Sequence, residues 1–257
     1  MPVVLSVTLA VGAGELAKKK AIVTRMTAIE ELAGMTMLCS DKTGTLTLNK
    51  LTINKDEFIC YTDVDIDQCL LYAAYASRIV NADAIDSCIV KNQGENGAVK
   101  AREGIQELHF LPFDPVGKRT QITFRDLKTG KLRRVCKGYP PVALALSHPT
   151  KDFEHRVEAD LDMLAKRGFR GLGISICDCD CPADYDGPVN AEMPPSGPWK
   201  FLAVMPLFDP PRHDTAETIN RALNLGVPVK MVTGDALAIA KETARMLGMG
   251  TNCYPTK

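Results

Sequence analysis

The segment MTMLCSDKTGTLTLNKL (35–51) passes from a largely apolar run into a carboxylate, Asp41, and then into a hydroxyl-rich turn. The run MTMLCS (35–40) is too short and too apolar for an amphipathic helix and reads as a buried strand. Ligands of open parallel sheets bind at the carboxyl ends of the strands, which is the place Asp41 takes. Behind it, Thr43, Gly44 and Thr45 supply hydroxyls and backbone N–H groups, and Gly44 lets the backbone approach a ligand closely. A carboxylate beside anion-cradling amides suits attack on phosphorus, with the Asp as covalent nucleophile. A single Asp after a strand is more often a turn or helix-cap residue. The unbroken string DKTGTLT (41–47) is what turns the reading toward chemistry.

Outward from this segment, TAIEELAG (27–34) reads as a short helix closed by Gly34, and DQCLLYAAYAS (67–77) has Leu and Tyr at helical spacing. TQITFRDLKTGKLRRVCKG (120–138) alternates on both sides of a Thr-Gly turn, a β-hairpin signal. A long helix is expected from about 153 to 166, strands at RGLGISICD (170–178) and WKFLAVMPLFD (199–209), and a Pro/Gly/Asp-rich surface loop between them. TAETINRALNLG (215–226) and LAIAKETARMLGMG (237–250) read as helices on either side of VPVKMVTGD (227–235), a strand running into a turn. Strand–helix alternation over this last section predicts parallel βαβ units. The strand at 35–40 has no neighbour of its own and is expected to join that sheet. The middle, about 52–203, is then a second domain inserted into the first.

The chain of 257 residues has room for one large domain or two modest ones. Lys+Arg and Asp+Glu balance at 31 each, so no net charge draws the protein to nucleic acid or an anionic membrane. Nine cysteines without a framework of spacings fit a reducing compartment and buried thiols. Cys177, Cys179 and Cys181 lack the C-x2–4-C spacing and the four ligands of a structural zinc site, so a variable loop is preferred to a soft-metal or redox site. The apolar opening, MPVVLSVTLAVGAGELAKKKAIVTR (1–25), is not a signal peptide, because its positive charges follow the apolar run. It is too short to cross a bilayer, which takes about 20 residues. Two readings stand: the end of a transmembrane helix with Lys18, Lys19 and Lys20 on the cytoplasmic side, or an ordinary core helix.

DKTGTLT resembles the phosphorylation motif of the P-type ion-pumping ATPases. Further segments appear in that family's order: ASRIVNADAID (76–86), PFDPVGKRT (112–120), CKGYPP (136–141), RGFRGLG (167–173), PLFDPPRHDTAETI (206–219) and VKMVTGD (229–235). The flanks PVVLSVTLAVGA, AIEELAGM and LGMGTNCYP are most similar to the plasma-membrane proton pumps. The resemblance covers nearly the whole chain. It implies an α/β fold: a haloacid-dehalogenase-like, Rossmann-type parallel-sheet phosphorylation domain, incomplete, with an inserted α+β nucleotide-binding domain. It divides the chain into a membrane-helix end and stalk (1–26), the first part of the phosphorylation domain (27–51), the nucleotide-binding domain (52–203) and the truncated second part of the phosphorylation domain (204–257). The implied cofactors are ATP and Mg²⁺. The implied partners are the remainder of the pump, its actuator domain and transmembrane helices. The implied location is the cytoplasmic side of a multi-pass plasma-membrane parent.

By the same resemblance, Asp41 takes the γ-phosphate of ATP, with Lys42 beside it, and Mg²⁺ is held by the Asp41 carboxylate and the Thr43 carbonyl. Thr233, Gly234 and Asp235 match the motif that binds the phosphoryl oxygens and flanks the site. Phe113 matches the aromatic that stacks on adenine, Lys118 a lysine lining that pocket, and Lys137 and Gly138 a motif deep in the nucleotide cleft. Asp86 and Arg170 match polar contacts to the nucleotide, while Asp209 and Arg212 stand at the hinge, from which Arg212 reaches the phosphates on domain closure.

The sequence departs from the family at Tyr139, where Ala is usual, and at Pro141, where an acidic residue is common. The family's GDGxNDxP motif, a phosphoryl-contacting lysine and the actuator's TGES loop are not found, so the chain is expected to be a piece of a pump. Two other readings remain. A soluble phosphatase of the same fold usually carries a second Asp two residues after the first, where this chain has Thr43. A non-catalytic nucleotide-binding module is the other.

Overall fold

The computed structural model describes residues 3–182 and 184–255. Helices Val3–Lys18 (α1) and Thr27–Ala33 (α2) precede the strand Leu38–Asp41 (β1). Short strands Thr52–Ile53 (β2) and Ile59–Cys60 (β3) lead to helices Ile66–Tyr75 (α3), Ala84–Lys91 (α4) and Gly97–Lys100 (α5). Strands Ile105–Asp114 (β4), Arg119–Asp126 (β5) and Leu132–Gly138 (β6) come next, then helices Pro140–Ala145 (α6) and Lys151–Lys166 (α7). Strands Arg170–Asp178 (β7) and Lys200–Phe208 (β8) flank the long loop, and Thr215–Asn224 (α8), Val229–Val232 (β9) and Leu237–Met246 (α9) follow.

These elements form a mixed α/β fold around two sheets. One is antiparallel and seven-stranded, in the order β2-β8-β7-β6-β5-β4 with β3 also on β8; the other is a parallel pair, β1 with β9. Helices cover both faces of the large sheet. On one side Cys69, Leu70, Ala73 and Ala74 of α3 and Ile89 of α4 pack on Leu172, Ile174, Leu202 and Met205. Against the other, Ala143 and Leu144 of α6 and Val157 and Leu164 of α7 meet Cys136, Phe201 and Val204. Local chemistry starts the helices: the Asp83 carboxylate accepts the Asp86 N–H at 2.7 Å ahead of α4, and Asp152 and Glu154 occupy the first turn of α7.

Three expectations need correction. The parallel βαβ sheet comes down to β1 and β9, because β8 pairs antiparallel with β7, β2 and β3. Phe201 to Leu207 are all buried, since helices lie on both faces, and such a strand reads as a continuous apolar run just as a parallel one does. The strand at 35–40 forms, shifted to 38–41, but it is not buried: with a single neighbour, Leu38, Cys39 and Asp41 stay exposed. Nor is α1 a core helix, for Leu9 is its only buried residue. Among the described residues no helix is long and apolar enough to cross a membrane.

The parallel pair rests on a small core of Leu46, Ile219 and Leu247. Three buried aliphatic side chains contribute on the order of 5–9 kcal/mol before ordering costs. The principal cluster of the large sheet contains thirteen buried residues, so stability is concentrated there.

Candidate active site

Strand register brings the two motif loops together. Asp41 lies opposite Val232 in the β1–β9 pair, so DKTG and TGD leave the sheet side by side at its carboxyl end. Asp41 is exposed, and its Oδ1 accepts the Lys42 N–H at 2.8 Å. Thr43 (φ −75°, ψ 122°) and Gly44 (φ 77°, ψ −10°) then make a type II turn, whose third position needs the positive φ that Gly supplies. The loop closes where the Thr47 N–H reaches the Lys42 carbonyl at 3.1 Å. Thr47, which the sequence did not single out, is fully buried and organises this loop. Its hydroxyl lies 2.5 Å from Asp209 Oδ2 and 3.1 Å from the Lys42 carbonyl, and it accepts the Gly44 N–H at 3.3 Å. The signal for Thr47 was only its place as the last residue of DKTGTLT.

Asp235 ties the two sheets. Lys42 is buried, with Nζ 2.7 Å from Asp235 Oδ2, and Arg170 of β7 holds Oδ1 of the same carboxylate. The Lys42 approach is close but lies outside hydrogen-bond alignment, so it acts through charge. The Asp235 N–H donates to Thr233 Oγ1 at 3.2 Å, which fixes the TGD turn.

From Asp235 a cleft of about 730 Å³ runs to the far end of the large sheet, within the range of small-molecule sites. Its lining includes Asp86, Phe113, Lys118, Lys137, Gly138, Arg170, Gly234 and Asp235, eight of the residues singled out from the sequence. Ile85, Leu161, Ala165 and Leu172 add apolar wall. At the floor, Lys137 and Asp86 are buried and form an ion pair; Lys137 Nζ also lies 2.7 Å from Ser77 Oγ, and Asp86 Oδ2 accepts the Arg78 N–H at 2.9 Å. Burial pulls the Lys137 ammonium below the usual lysine range, while the Asp86 carboxylate pulls it back up. A Cβ on Gly138 would stand 2.4 Å from the Lys118 carbonyl oxygen, so only glycine allows this approach of β6 to the β4–β5 turn.

Asp41, Lys42, Thr43 and Thr233 sit beside the cleft, joined to it through Asp235. Asp209 is held behind the loop by Thr47, and Arg212 lines a separate hollow of about 230 Å³ with Thr45 and Asp214. The structure brings neither of these residues, which the resemblance places at a hinge, into the cleft lining. The exposed Asp41 carboxylate and a turn carbonyl at Thr43 are hard oxygen donors of the kind Mg²⁺ takes, with water and phosphate completing its shell. Among the described residues no three His, Cys, Asp or Glu side chains gather as a metal cage. Burial pushes Cys177 up to about 12 and Cys179 up to about 11, which keeps both thiols protonated. No protein-family model matches the chain.

Proposed function

We propose that the chain is the nucleotide-binding and phosphoryl-accepting part of a P-type, proton-pumping ATPase. On this reading β1 and β9 belong to a haloacid-dehalogenase-like phosphorylation domain, and the parent resides in the plasma membrane with this region on the cytoplasmic side. One observation carries the reading: a carboxylate and a TGD turn share the carboxyl end of a parallel strand pair, at one end of a nucleotide-sized cleft. That is the place where open α/β sheets bind ligands.

The nucleobase lies toward Phe113 and Lys118, above the Lys137–Asp86 floor, and the phosphates point to Arg170 and the TGD turn. An Asp41 oxygen attacks the γ-phosphorus in line, the bond from that phosphorus to the β–γ bridging oxygen breaks, and ADP leaves with the electron pair. The Thr233 hydroxyl and the Gly234 N–H stabilise the equatorial oxygens as charge spreads over them. Asp41 and Thr43 would hold Mg²⁺, which neutralises charge on the transferred group. Thr43, in place of a second Asp, leaves no general acid two residues on, which favours a persistent aspartyl-phosphate over rapid hydrolysis.

A second reading, a nucleotide-binding module without transfer, draws support from the neutralisation of Lys42 and Arg170 on Asp235 and from the exposed edges of the β1–β9 pair. Label from γ-³²P-ATP with Mg²⁺ separates the two. Transfer predicts acid-stable, hydroxylamine-sensitive label that Asp41→Asn abolishes. Label that survives this substitution contradicts the assignment of Asp41, and ATP binding without label favours the module.

A further inference from the structure

Two aromatic side chains on the wall of the cleft stand open to solvent: Phe113 is 56% exposed and Tyr139 52%. Phe113 lies near the end of β4, and Tyr139 directly follows β6. Both strands flank β5, where Arg119 pairs with Asp114 on one side and with Gly138 on the other. Phe113 lies one residue to one side of the Arg119 level and Tyr139 one residue to the other. With adjacent strands about 4.8 Å apart and a rise of about 3.3 Å per residue, the two ring-bearing backbone positions are separated by about 12 Å. A planar ring stacked on both faces needs about 7 Å between its neighbours, at about 3.5 Å for each contact. A backbone separation of about 12 Å leaves room for one planar base when both side chains lean into the cleft that they line.

The position of Tyr139 is fixed by its surroundings. Its N–H donates to the Lys118 carbonyl at 2.9 Å, and the missing Cβ of Gly138 is what permits that approach. Lys118 is held in turn by the Asp114 turn: its N–H reaches the Asp114 carbonyl at 2.6 Å, and the Asp114 carboxylate accepts the Gly117 N–H at 2.6 Å. Lys118 Nζ lies 5.4 Å from the centroid of the Tyr139 ring, a cation–π contact. A ring face open to an ammonium is open to a base as well.

We propose that Tyr139 is a specificity-determining residue of the cleft. Its ring stacks on one face of a nucleobase whose other face meets Phe113, and the base displaces the Lys118 ammonium from the Tyr139 ring. The inference rests on the nucleotide reading above and adds to it that the base is gripped between two aromatic walls, so that nucleoside triphosphates are preferred to bare polyphosphate.

Calorimetric titration of the folded chain with ATP and with inorganic tripolyphosphate, for wild type, Tyr139→Ala, Tyr139→Phe and Phe113→Ala, tests this. Base–aromatic stacks lost to alanine lower affinity about tenfold. Tyr139→Ala and Phe113→Ala are each expected to lose about tenfold for ATP and nothing for tripolyphosphate, with Tyr139→Phe close to wild type. Equal or tighter ATP binding by Tyr139→Ala overturns the proposal and makes the ring a bystander or an obstruction. Equal weakening toward both probes also overturns it, since it marks a change in the cleft and not a stack. Wild-type protein that binds no ATP overturns the nucleotide reading itself, a result distinct from either of these.

Discussion

Lys137 and Asp86 show how much one contact can carry. Both are buried, and each is the other's counter-ion at the floor of the cleft. Removing one partner of such a pair strands a charge and costs about 3–5 kcal/mol. Asp86→Ala is therefore expected to lower the unfolding free energy by that amount at neutral pH in a urea titration. Burial holds Lys137 below the ordinary lysine value of 10.5, so between its folded-state value and 10.5 the unfolded chain binds more protons than the folded one. Stability from this group thus rises with pH across that window, and below it both states carry the charge and the full burial penalty remains. Without the upward pull of Asp86 the window widens downward, so the deficit of Asp86→Ala shrinks as pH rises toward 10. A deficit under about 1 kcal/mol at neutral pH, or one that does not change with pH, contradicts the pairing. At this scale the sequence was most legible where a special residue is demanded locally: Gly44 at its positive φ and Asp41 at a strand end. The partner of Lys42 was not legible, because Asp235 follows β9, and Arg170 on the same carboxylate comes from β7, strands whose placement no local pattern contains.

At the scale of elements, the two sheets differ in how well they are supported. Strands β5 to β8 lie between helices, whereas β1 and β9 have one partner each and rest on three buried aliphatics. Isolated two-stranded sheets are marginal. Hydrogen exchange is expected to show β1 and β9 amides opening well below the global unfolding free energy, with β6 and β7 amides exchanging only by global unfolding. Equal protection of both sheets contradicts this division. Most elements were readable from sequence, since β7 and α7 follow their periods and the β5–β6 hairpin shows its Thr-Gly turn. The pairing of β8 was misread for a physical reason: helices on both faces remove the polar alternation that marks an antiparallel strand. The exposure of β1 was equally hidden, because burial depends on neighbours and not on a strand's own composition.

Over the whole molecule the nine thiols report on folding. All are free, with Cys39 exposed and Cys69, Cys136 and Cys177 buried, each of these three pushed up to about 12 by burial. Thiol labelling at pH 8 is expected to reach Cys39 first and those three only on unfolding; prompt labelling of Cys136 in the native protein contradicts the assigned core. The same global arrangement makes the functional claim testable in one step, because the cleft has the large sheet on one side and the TGD turn on the other. Amide chemical-shift mapping during an ATP titration reads both walls at once. Contact with a nucleotide predicts saturable shifts at Phe113, Lys118 and Gly138 on one wall and at Gly234 and Asp235 on the other, with a single dissociation constant. Absence of saturable shifts at these amides up to millimolar ATP, or shifts confined to residues outside the cleft, would contradict the account.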